Sequence, residues 1–468
     1  MSKYLIFAVA SLSLLIGSIS GTAVAVAFPA MIKSFDASLL TAGWVMGIYQ
    51  LTATAVQPLA GKASDALGRK FIFMLCVSLF TIGSVLCAIA PNIELLIFFR
   101  LIQAMGGGGF MPSAAGMVVD EFPRTRQRTL GLFTSIFPIG QIIGPNLGGW
   151  MTEAFGWRSI FWFNIPLGVI AFIASAILLR PQPRGESQID VAGAGLFTGS
   201  LAALMVGLTL AGSGEGSSSW ALFGLLFVVS AVLMLSFFRR QSRVKNPFID
   251  VEMLRHKPFI AANIYNFMYG ACVVGIMSFI PLYAVSLYGM SVLESGVILT
   301  PRSIGMIIAA SVTSVYLVRW GYRLPMLIGT STLIVCLFLL GAEVKTVNIL
   351  GTQLGGTFIL LSIMLLTGLG SGISSPASNN ACIDLMPDRI ATITGIRGMF
   401  RLSGGAISIA IVSLVLHNAG DLTRGFFIVF SGLAFVLLLT LPVIFMIPGK
   451  PDVSAPLKES GADMTGTA

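Results

Sequence analysis

Two arginines interrupt long apolar stretches of this sequence, and they have the clearest chemical potential. Arg100 lies inside one such stretch and Arg302 inside another. A guanidinium group stays charged at physiological pH, and burying that charge is costly unless it meets a partner or a water-filled cavity. Two interpretations follow. Each arginine attracts an anionic group of a substrate, or its flexible stem carries the charge out to a polar surface.

Carboxylates fall at the ends of the apolar stretches and not in their middles. Asp120, Asp190 and Asp384 lie at one set of ends, whereas Glu153 and Glu294 lie at the other. Proton transfer through an apolar interior needs a buried titratable group. Glu153 and Glu294 are therefore weak candidates for proton coupling, and the alternative is that they are solvated helix ends. The sequence predicts no catalytic residue, metal ligand or cofactor.

Amide side chains occur within the apolar stretches, where each either bridges two helices by hydrogen bonds or contacts a substrate. Together with the two arginines they make up the predicted substrate cavity. The predicted cavity residues are Gln50, Arg100, Gln103, Gln141, Asn146, Asn263, Asn266, Arg302 and Asn379.

Membrane-crossing helices are needed to position these side chains. The chain has 468 residues, of which 56% are hydrophobic and 10% are charged, and its mean hydropathy is +0.91. Apolar stretches of about 20 residues, long enough to cross about 30 Å of hydrocarbon, recur about fourteen times. We therefore predict an all-α polytopic membrane protein with about 14 transmembrane helices. A soluble domain is excluded, because it would expose large apolar patches.

The distribution of basic residues predicts the orientation of the chain. The formal net charge is +9, which in a soluble protein would suggest a nucleic acid partner. About 22 Lys and Arg residues, Arg397 and Arg401 among them, fall on one predicted side and about 4 on the other. Positive charge accumulates on the cytoplasmic side, so both termini are predicted to be cytoplasmic. We predict a multi-pass protein of the plasma membrane, the inner membrane of a bacterium, in contact with lipid and not with nucleic acid.

Two parts of the sequence match each other, which indicates an internal duplication. Helix-breaking residues and an aspartate coincide when the chain is shifted by 264 residues against itself. The coinciding pairs are Gly106 with Gly370, Gly108 with Gly372, Pro112 with Pro376, Asp120 with Asp384 and Pro123 with Pro387. Repeats of six spans place a substrate site at the membrane midplane between two bundles. We predict six-helix bundles at 1–185 and 246–448, two inserted helices at 186–245 and a disordered cytoplasmic tail at 449–468.

A loop after the second apolar stretch combines small residues with charges of both signs. It begins at Gly61 and contains Asp65, Gly68 and Arg69. An acid close to several cations can hold helix ends together in one conformation and release them in another. We predict a conformational latch at this loop, with Asp120 as a further member. The alternative is a positively charged turn without a gating role.

The second half carries a related loop with a different charge pattern. Gly321 and the basic residues are kept, but Val318 stands where the first half has Asp65. Because the acid is missing there, we predict that the latch is asymmetric.

Glycine and proline are concentrated in one further apolar stretch. The residues are Gly140, Gly144, Pro145, Gly148 and Gly149. In a membrane helix such residues let a neighbouring helix approach closely and allow a local bend. We predict that this stretch is a moving joint between packed helices.

Three segments in chain order resemble motifs of one family. The loop that begins at Gly61 resembles the signature loop of the major facilitator superfamily, and the stretch from Gly140 to Gly149 resembles the antiporter motif in the fifth helix of its drug exporters. The run from Trp157 to Gly168 is similar to the start of the sixth span in the fourteen-span drug:proton antiporter branch, which performs multidrug efflux. The resemblance implies the major facilitator fold, with two six-helix bundles and two inserted helices.

The resemblance also implies a function. It predicts a secondary active transporter, expected to be a monomer, that exports small amphipathic molecules by alternating access and proton antiport. One position departs from the branch, because Ser20 stands where an acid is usual in the first span. A carrier of a lipid or organic anion, uncoupled or differently coupled, is therefore the alternative. A non-transporting receptor or scaffold is a second alternative, which the predicted latch and joint argue against.

Overall fold

The computed structural model describes residues 2–122, 125–179, 190–213, 217–244, 256–349, 352–385 and 390–449, together with residues 247, 249 and 253. Helices dominate this part of the chain, because a helix satisfies its own backbone hydrogen bonds in an apolar medium. The first half contains α1 (Ser2–Phe35), α2 (Leu39–Leu67), α3 (Arg69–Ala88), α4 (Ile93–Gly107), α5 (Phe110–Glu121), α6 (Arg126–Thr134), α7 (Ile136–Phe155) and α8 (Arg158–Leu178).

The two helices that the sequence predicts as inserted follow, α9 (Val191–Ser213) and α10 (Ser217–Gln241). The second half contains α11 (Lys257–Tyr269), a π-helical segment (Gly270–Gly275), α12 (Ile280–Tyr288), α13 (Val292–Val297), α14 (Leu299–Trp320), α15 (Arg323–Gly341), α16 (Gly356–Asp384), α17 (Ile390–Asn418) and α18 (Leu422–Ile444).

Successive passes run in opposite directions and so define two faces of the molecule. We call the face that carries Ser2 and Ile444 the terminal face, and the opposite one the far face. Gly68 and Gly321 turn the chain at the terminal face, and Gly156 turns it at the far face. All three have positive φ, a conformation that glycine adopts without steric cost, so the chain reverses tightly at these positions.

Thirteen helical passes in the described residues have the length and hydropathy of membrane spans. A further pass, α7, is less apolar, because four glycines and two prolines replace larger side chains. It nevertheless runs parallel to α1, in contact from Gly140 and Ser18 at one end to Gly148 and Ala23 at the other. The predicted helical membrane architecture is confirmed.

A short β-hairpin is the one correction to the all-α prediction within the described ranges. Strands β1 (Thr346–Ile349) and β2 (Thr352–Gly355) pair antiparallel at the far face, between α15 and α16. Close by, Lys345 Nζ lies 2.9 Å from Glu343 Oε1. The hairpin lies in a connection between helices, where backbone groups reach water, and it leaves the helical core unchanged.

Glycines bring α4 into backbone contact with α3. A Cβ atom at Gly83 would lie 2.5 Å from Cα of Gln103, and one at Gly106 would clash with the backbone of Cys76 and Phe80. Small residues at a helix interface allow this close approach in a membrane protein. The close packing directs the Arg100 face of α4 into the interior of the first half.

Two groups of helix contacts join the halves. In the first group, α2 packs against α17, from Gly43 beside Ser413 to Gly398 beside Gln57. In the second group, α7 packs against α13 and α14, and α1 packs against α12 and α13. The interface between the halves therefore includes α1, α2 and α7 of the first half and α12, α13, α14 and α17 of the second.

The inserted helices have different surroundings. α9 covers the seam between α2 and α17, and Trp44 Nε1 donates a hydrogen bond of 2.9 Å to Thr209 Oγ1. α10 packs against α9, and much of its remaining surface is exposed, including Trp220 and Phe227. α9 is thus part of the interface between the halves, whereas α10 presents an apolar surface suited to lipid.

Candidate functional site

Arg100 is buried in the first half and is only 2% exposed. Its Nε donates to the Val45 carbonyl oxygen at 3.1 Å, and its Nη1 donates to Gln103 Oε1 at 2.6 Å. Its guanidinium carbon lies 4.3 Å from the centroid of the Tyr49 ring, a distance typical of a cation–π interaction. The side chain therefore reaches neither surface, and other protein groups satisfy at least two of its nitrogens.

Gln103 extends this polar group into a chain of hydrogen bonds. It is fully buried, and its Nε2 donates to Ser84 Oγ at 2.7 Å. Ser84 Oγ in turn donates to the Phe80 carbonyl oxygen at 2.7 Å. A connected chain of satisfied polar groups fixes side-chain orientation in a medium of low dielectric constant. Arg100 and Gln103, both predicted cavity residues, are thus brought together by α2, α3 and α4.

Arg302 lies in a different environment in the second half. It lies within electrostatic range of Tyr269 and Arg401, and its Nε is buried without a hydrogen-bond acceptor in the described structure. Arg401 lies over the Tyr269 ring, with its guanidinium carbon 5.0 Å from the centroid. Arg397 interacts with Arg401 and donates to Asn379 Oδ1 at 3.0 Å. The structure thus groups the predicted residues Arg302 and Asn379 with two further arginines.

Arg397 and Arg401 correct the assignment of loop charges. The sequence pattern counts both among the basic residues on the predicted cytoplasmic side, but both lie within α17. Neither is fully exposed, and Arg401 contacts the ring of Tyr269. The sequence does contain a sign of their burial, because both arginines fall inside an apolar stretch. It does not reveal the nearby Tyr269, which belongs to a different helix, α11.

The remaining predicted amides differ in their contacts. Asn263 and Asn266 are buried and donate to carbonyl oxygens of their own helix. Asn266 Oδ1 also accepts from Ser378 Oγ at 3.3 Å. Gln50 faces Gly405 across the α2 and α17 interface, and its Oε1 is buried without a donor in the described structure. Asn266 therefore bridges helices, while Gln50 lies at the junction of the halves with unused hydrogen-bonding capacity.

α7 connects the halves through side chains and backbone. Asn146 Nδ2 donates to Thr300 Oγ1 at 2.7 Å, and Ser303 Oγ donates to the Gln141 carbonyl oxygen at 3.3 Å. A Cβ atom at Gly149 would lie 2.9 Å from Cα of Leu293. In this structure the far end of α7 therefore closes against the second half.

Gly144 and Pro145 complete the glycine-rich stretch of α7. Both are buried, and the backbone of Gly144 lies against Ile19 and Thr22 of α1. The Pro145 carbonyl oxygen leaves no room for a side chain at Gly296, so these two backbones also touch. Because its glycines carry no side chains, α7 brings its backbone close to α1 of its own half. Its backbone also contacts Gly296 of α13 in the other half.

Glu153 and Glu294 lie at the far face and meet at one residue. Glu153 Oε2 accepts from Ser291 Oγ at 3.2 Å and from the Leu293 backbone at 3.0 Å. Glu294 Oε2 accepts from the Ser291 backbone at 2.8 Å and forms a capping box that starts α13. Both carboxylates are exposed. Glu153 stabilises the contact between α7 and α13, and Glu294 stabilises the start of α13.

The predicted latch residues converge at the terminal face. Arg69 Nε lies 2.6 Å from Asp120 Oδ2, and Arg69 Nη2 lies 3.4 Å from Asp65 Oδ1. Gly68 places Arg69 at the first position of α3, and Gly61 faces Pro112 of α5. The arginine therefore ties the ends of α2, α3 and α5 together by charge.

Ser20 and Asn164 form a buried pair that the sequence does not predict. Both are at most 1% exposed, and Asn164 Nδ2 donates to Ser20 Oγ at 3.0 Å. The pair joins α1 to α8 with neutral groups. The sequence marks Ser20 only as a position that lacks the usual acid, and its amide partner Asn164 is 144 positions away in the chain.

Comparison with known proteins decides the family. The model of the Major Facilitator Superfamily matches residues 10–194 and 189–409. The chain belongs to the major facilitator superfamily. It is 29% identical over 417 residues to the multidrug transporter protein MdtP of Bacillus subtilis, covering 88% of this chain and 75% of that protein. It is 30% identical over 413 residues to multidrug resistance protein 3 of Bacillus subtilis, covering 87% and 78%.

Solved structures share the fold of this superfamily member at low identity. A POT family transporter in complex with 5-aminolevulinic acid aligns with a TM-score of 0.69 and 14% identity, covering 94% of this chain and 96% of the other. A D-xylose-proton symporter aligns with a TM-score of 0.65 and 14% identity, covering 95% and 98%. The family match, the multidrug transporter relatives and the membrane spans together make this superfamily protein a multi-pass membrane transporter, and not an enzyme.

Proposed function

We propose that this protein is an exporter of small amphipathic molecules that belongs to the fourteen-span drug:proton antiporter branch and works by alternating access. The names of its relatives support drug efflux, because two of them are called multidrug transporter or multidrug resistance proteins. A methylenomycin A resistance protein of Streptomyces coelicolor is a further relative, 29% identical over 421 residues, with 89% of this chain and 86% of that protein covered.

The packing of α7 is the observation that carries the proposal. On one side its glycines lie against α1 of the same half, and at the far face Gly149 lies against Leu293 of the other half. Hydrogen bonds from Asn146 to Thr300, and from Ser291 and the Leu293 backbone to Glu153, support the second contact. Because the contact surfaces lack bulky side chains, α7 can tilt with α1 and separate from α13 at little steric cost. Separation would open the far face.

Proton antiport is the coupling that this branch implies, and a carrier of an organic anion or lipid without proton coupling is the second candidate. The Ser20 and Asn164 pair favours the second candidate, because a neutral hydroxyl stands where the branch carries an acid. Glu153 and Glu294 are the remaining proton carriers proposed, and both lie at exposed ends.

The remaining proposals concern topology. The excess of basic residues on one side supports cytoplasmic termini in the plasma membrane of a bacterium. The internal match supports six-helix bundles at 1–185 and 246–448 around inserted helices at 186–245. The polar tail at 449–468 lies largely outside the described residues. We expect the monomer to be the working unit, since each half supplies one wall of the interior.

Transport by purified protein in liposomes tests the proposal. A panel of cationic, neutral and anionic amphiphiles is added with an internal pH dye, and Gly149→Leu is compared with Gly195→Leu. We expect Gly149→Leu to reduce transport at least about tenfold, because a side chain there displaces the Leu293 backbone. A Cβ atom at Gly195 would meet no neighbouring atom within 4 Å, so the Gly195→Leu variant should match the wild type.

Each outcome separates the alternatives. Substrate-dependent proton movement supports antiport, and transport without proton movement supports the uncoupled carrier. If the wild type moves no amphiphile of any charge, the export proposal fails and a receptor or scaffold is favoured. If Gly149→Leu transports as fast as the wild type, the proposed role of α7 is wrong.

A further inference from the structure

Three arginines lie near one tyrosine in the interior of the second half. The guanidinium carbon of Arg401 lies 5.0 Å from the centroid of the Tyr269 ring. Arg302 and Arg397 each lie within electrostatic range of Tyr269 and Arg401. We call Arg302, Arg397 and Arg401 the arginine cluster. Like charges repel more strongly in an apolar interior than in water, so the cluster is unfavourable unless something neutralises it.

The protein itself supplies little to neutralise the cluster. Among the described residues, no ion pair includes any of the three arginines. The Nε atoms of Arg302 and Arg397 are buried without an acceptor there, and Arg397 donates to Asn379, a neutral amide. Arg100 provides the contrast, because its Nε and Nη1 have acceptors within the first half. Among the described residues, Arg302 and Arg397 therefore present buried guanidinium donors without acceptors, whereas the Nε and Nη1 atoms of Arg100 are satisfied.

The backbone holds two members of the cluster in place. The carbonyl oxygen of Arg401 occupies the position that a side chain at Gly270 would need, and that of Arg302 occupies the same position at Gly368. Gly270 also begins the π-helical segment, which directly follows Tyr269. Single π-helical turns are rare and are frequently found at functional sites. The close backbone contacts indicate a built site, in which α11, α14, α16 and α17 fix the positions of the charges.

We propose that the arginine cluster binds the anionic group of an amphiphilic organic acid, while the Tyr269 ring packs against its apolar part. Guanidinium groups bind carboxylate, sulfonate and phosphate oxygens with paired hydrogen bonds, which matches the unused donors. The inference rests on the transport function proposed above and names its substrate class. The same oxyanion chemistry is offered by a soluble acid and by the headgroup of an anionic lipid.

Equilibrium binding to the purified full-length protein in neutral detergent tests the site without requiring transport. The anionic probe is anilinonaphthalene sulfonate, and tetraphenylphosphonium is an apolar cation for comparison. We expect Arg302→Gln, Arg397→Gln and Arg401→Gln each to weaken anion binding by about tenfold to a hundredfold, because each removes charged hydrogen bonds. Cation binding should be unchanged or stronger. Arg302→Lys keeps the charge and should recover part of the affinity.

The control is Arg319→Gln, which removes a charge from the exposed terminal end of the same helix, α14. It should bind both probes like the wild type. Competition then separates the two sources of the anion: displacement by decanoate supports a soluble acid, and displacement by lysophosphatidylglycerol alone supports a lipid headgroup.

The site is excluded if all three glutamine variants bind the anion with wild-type affinity. It is also excluded if they lose the cation by the same factor, because that result indicates general damage to the fold. Binding to the cluster without transport of any amphiphile would instead leave the site intact and contradict the export proposal.

Discussion

The two coupling alternatives, proton antiport and transport without proton coupling, differ in what they require at position 20, where this chain has Ser20. Its hydroxyl is fully buried and accepts a hydrogen bond of 3.0 Å from Asn164. An aspartate there would keep this acceptor and add a group that can bind and release a proton as water reaches it from alternate faces. We expect Ser20→Asp to create substrate-dependent proton movement, measured with an internal pH dye in liposomes, if the wild type shows none.

Ser20→Asn is the matched control, because it is similar in size to aspartate and carries no titratable group. It should transport without moving protons. Proton movement in Ser20→Asn, or its absence in a Ser20→Asp variant that still transports, would contradict a coupling role for this position. Wild-type coupling equal to that of Ser20→Asp would instead direct the search to Glu153 and Glu294.

The sequence predicts which polar residues lie in the membrane interior, but it does not predict which residues they contact. The interior position of Arg100 follows from the apolar residues around it, whereas its contacts with Val45 and Tyr49 depend on how α2 packs against α4. The sequence pattern places Arg397 and Arg401 among the loop charges, because an arginine near the end of an apolar stretch usually reaches the surface. Only the packing of α17 against α11 places them inside.

Asp190 anchors the inserted helices at the terminal face. Its side chain is 1% exposed and bonds the Gly193 backbone, Arg240 Nε and Gln241 Nε2. Burial alone would raise the pKa of Asp190, but these hydrogen bonds and the Arg240 charge lower it overall. The ionised carboxylate therefore stabilises the fold above the unfolded-state pKa of about 3.9. That contribution is lost as the pH falls through the lower pKa of the folded state.

We expect Asp190→Asn to reduce the free energy of unfolding by about 1–3 kcal/mol at neutral pH, because a charged acceptor of several hydrogen bonds is lost. Thermal unfolding in detergent across a pH series measures the effect. The difference from the wild type should be constant at neutral pH and shrink only below about pH 4. Arg239→Gln changes an exposed neighbour of Arg240 and should leave stability unchanged. A difference that disappears near neutral pH would contradict the assignment.

Whole elements were predicted better than their irregularities. Length and hydropathy identify the membrane-crossing helices, because lipid imposes both. α7 is the exception in hydropathy, since its interior is packed through glycine backbone and not through large side chains. The π-helical segment at Gly270–Gly275 begins where Gly270 contacts the backbone of Arg401, a contact between distant parts of the chain that the sequence does not reveal.

The two halves repeat one contact with different chemistry. Arg69 and Tyr322 each follow a glycine of positive φ, and each bonds an aspartate at the end of a later helix, Asp120 or Asp384. The first contact joins opposite charges that are partly exposed, whereas Tyr322 is buried and neutral. Burial, followed by the bond to Asp384, raises the pKa of Tyr322, so it stays protonated at physiological pH. The predicted asymmetry between the two loops, inferred from Val318, is therefore a difference in charge. Each half has a contact, but only the first half's contact is an ion pair.

This difference predicts how salt affects the movement of the halves. Salt screens an exposed ion pair but not a buried neutral donor, so the two contacts should respond differently. We expect Asp120→Asn to slow transport up to about fivefold at low salt and to match the wild type near 1 M salt, where the wild-type pair is itself screened. Tyr322→Phe removes a hydrogen bond to a charged acceptor and should slow transport about tenfold at either salt concentration.

Initial transport rates in liposomes at low and high potassium chloride measure both effects. If the halves move as rigid bodies, each contact keeps the terminal ends of its own half together, and loss of either slows the exchange between faces without weakening substrate binding. Equal salt dependence of the two variants would show that the contacts are not chemically distinct. A loss of substrate affinity without a change in rate would place them outside the conformational change, because a contact that serves only the rocking movement acts on the rate.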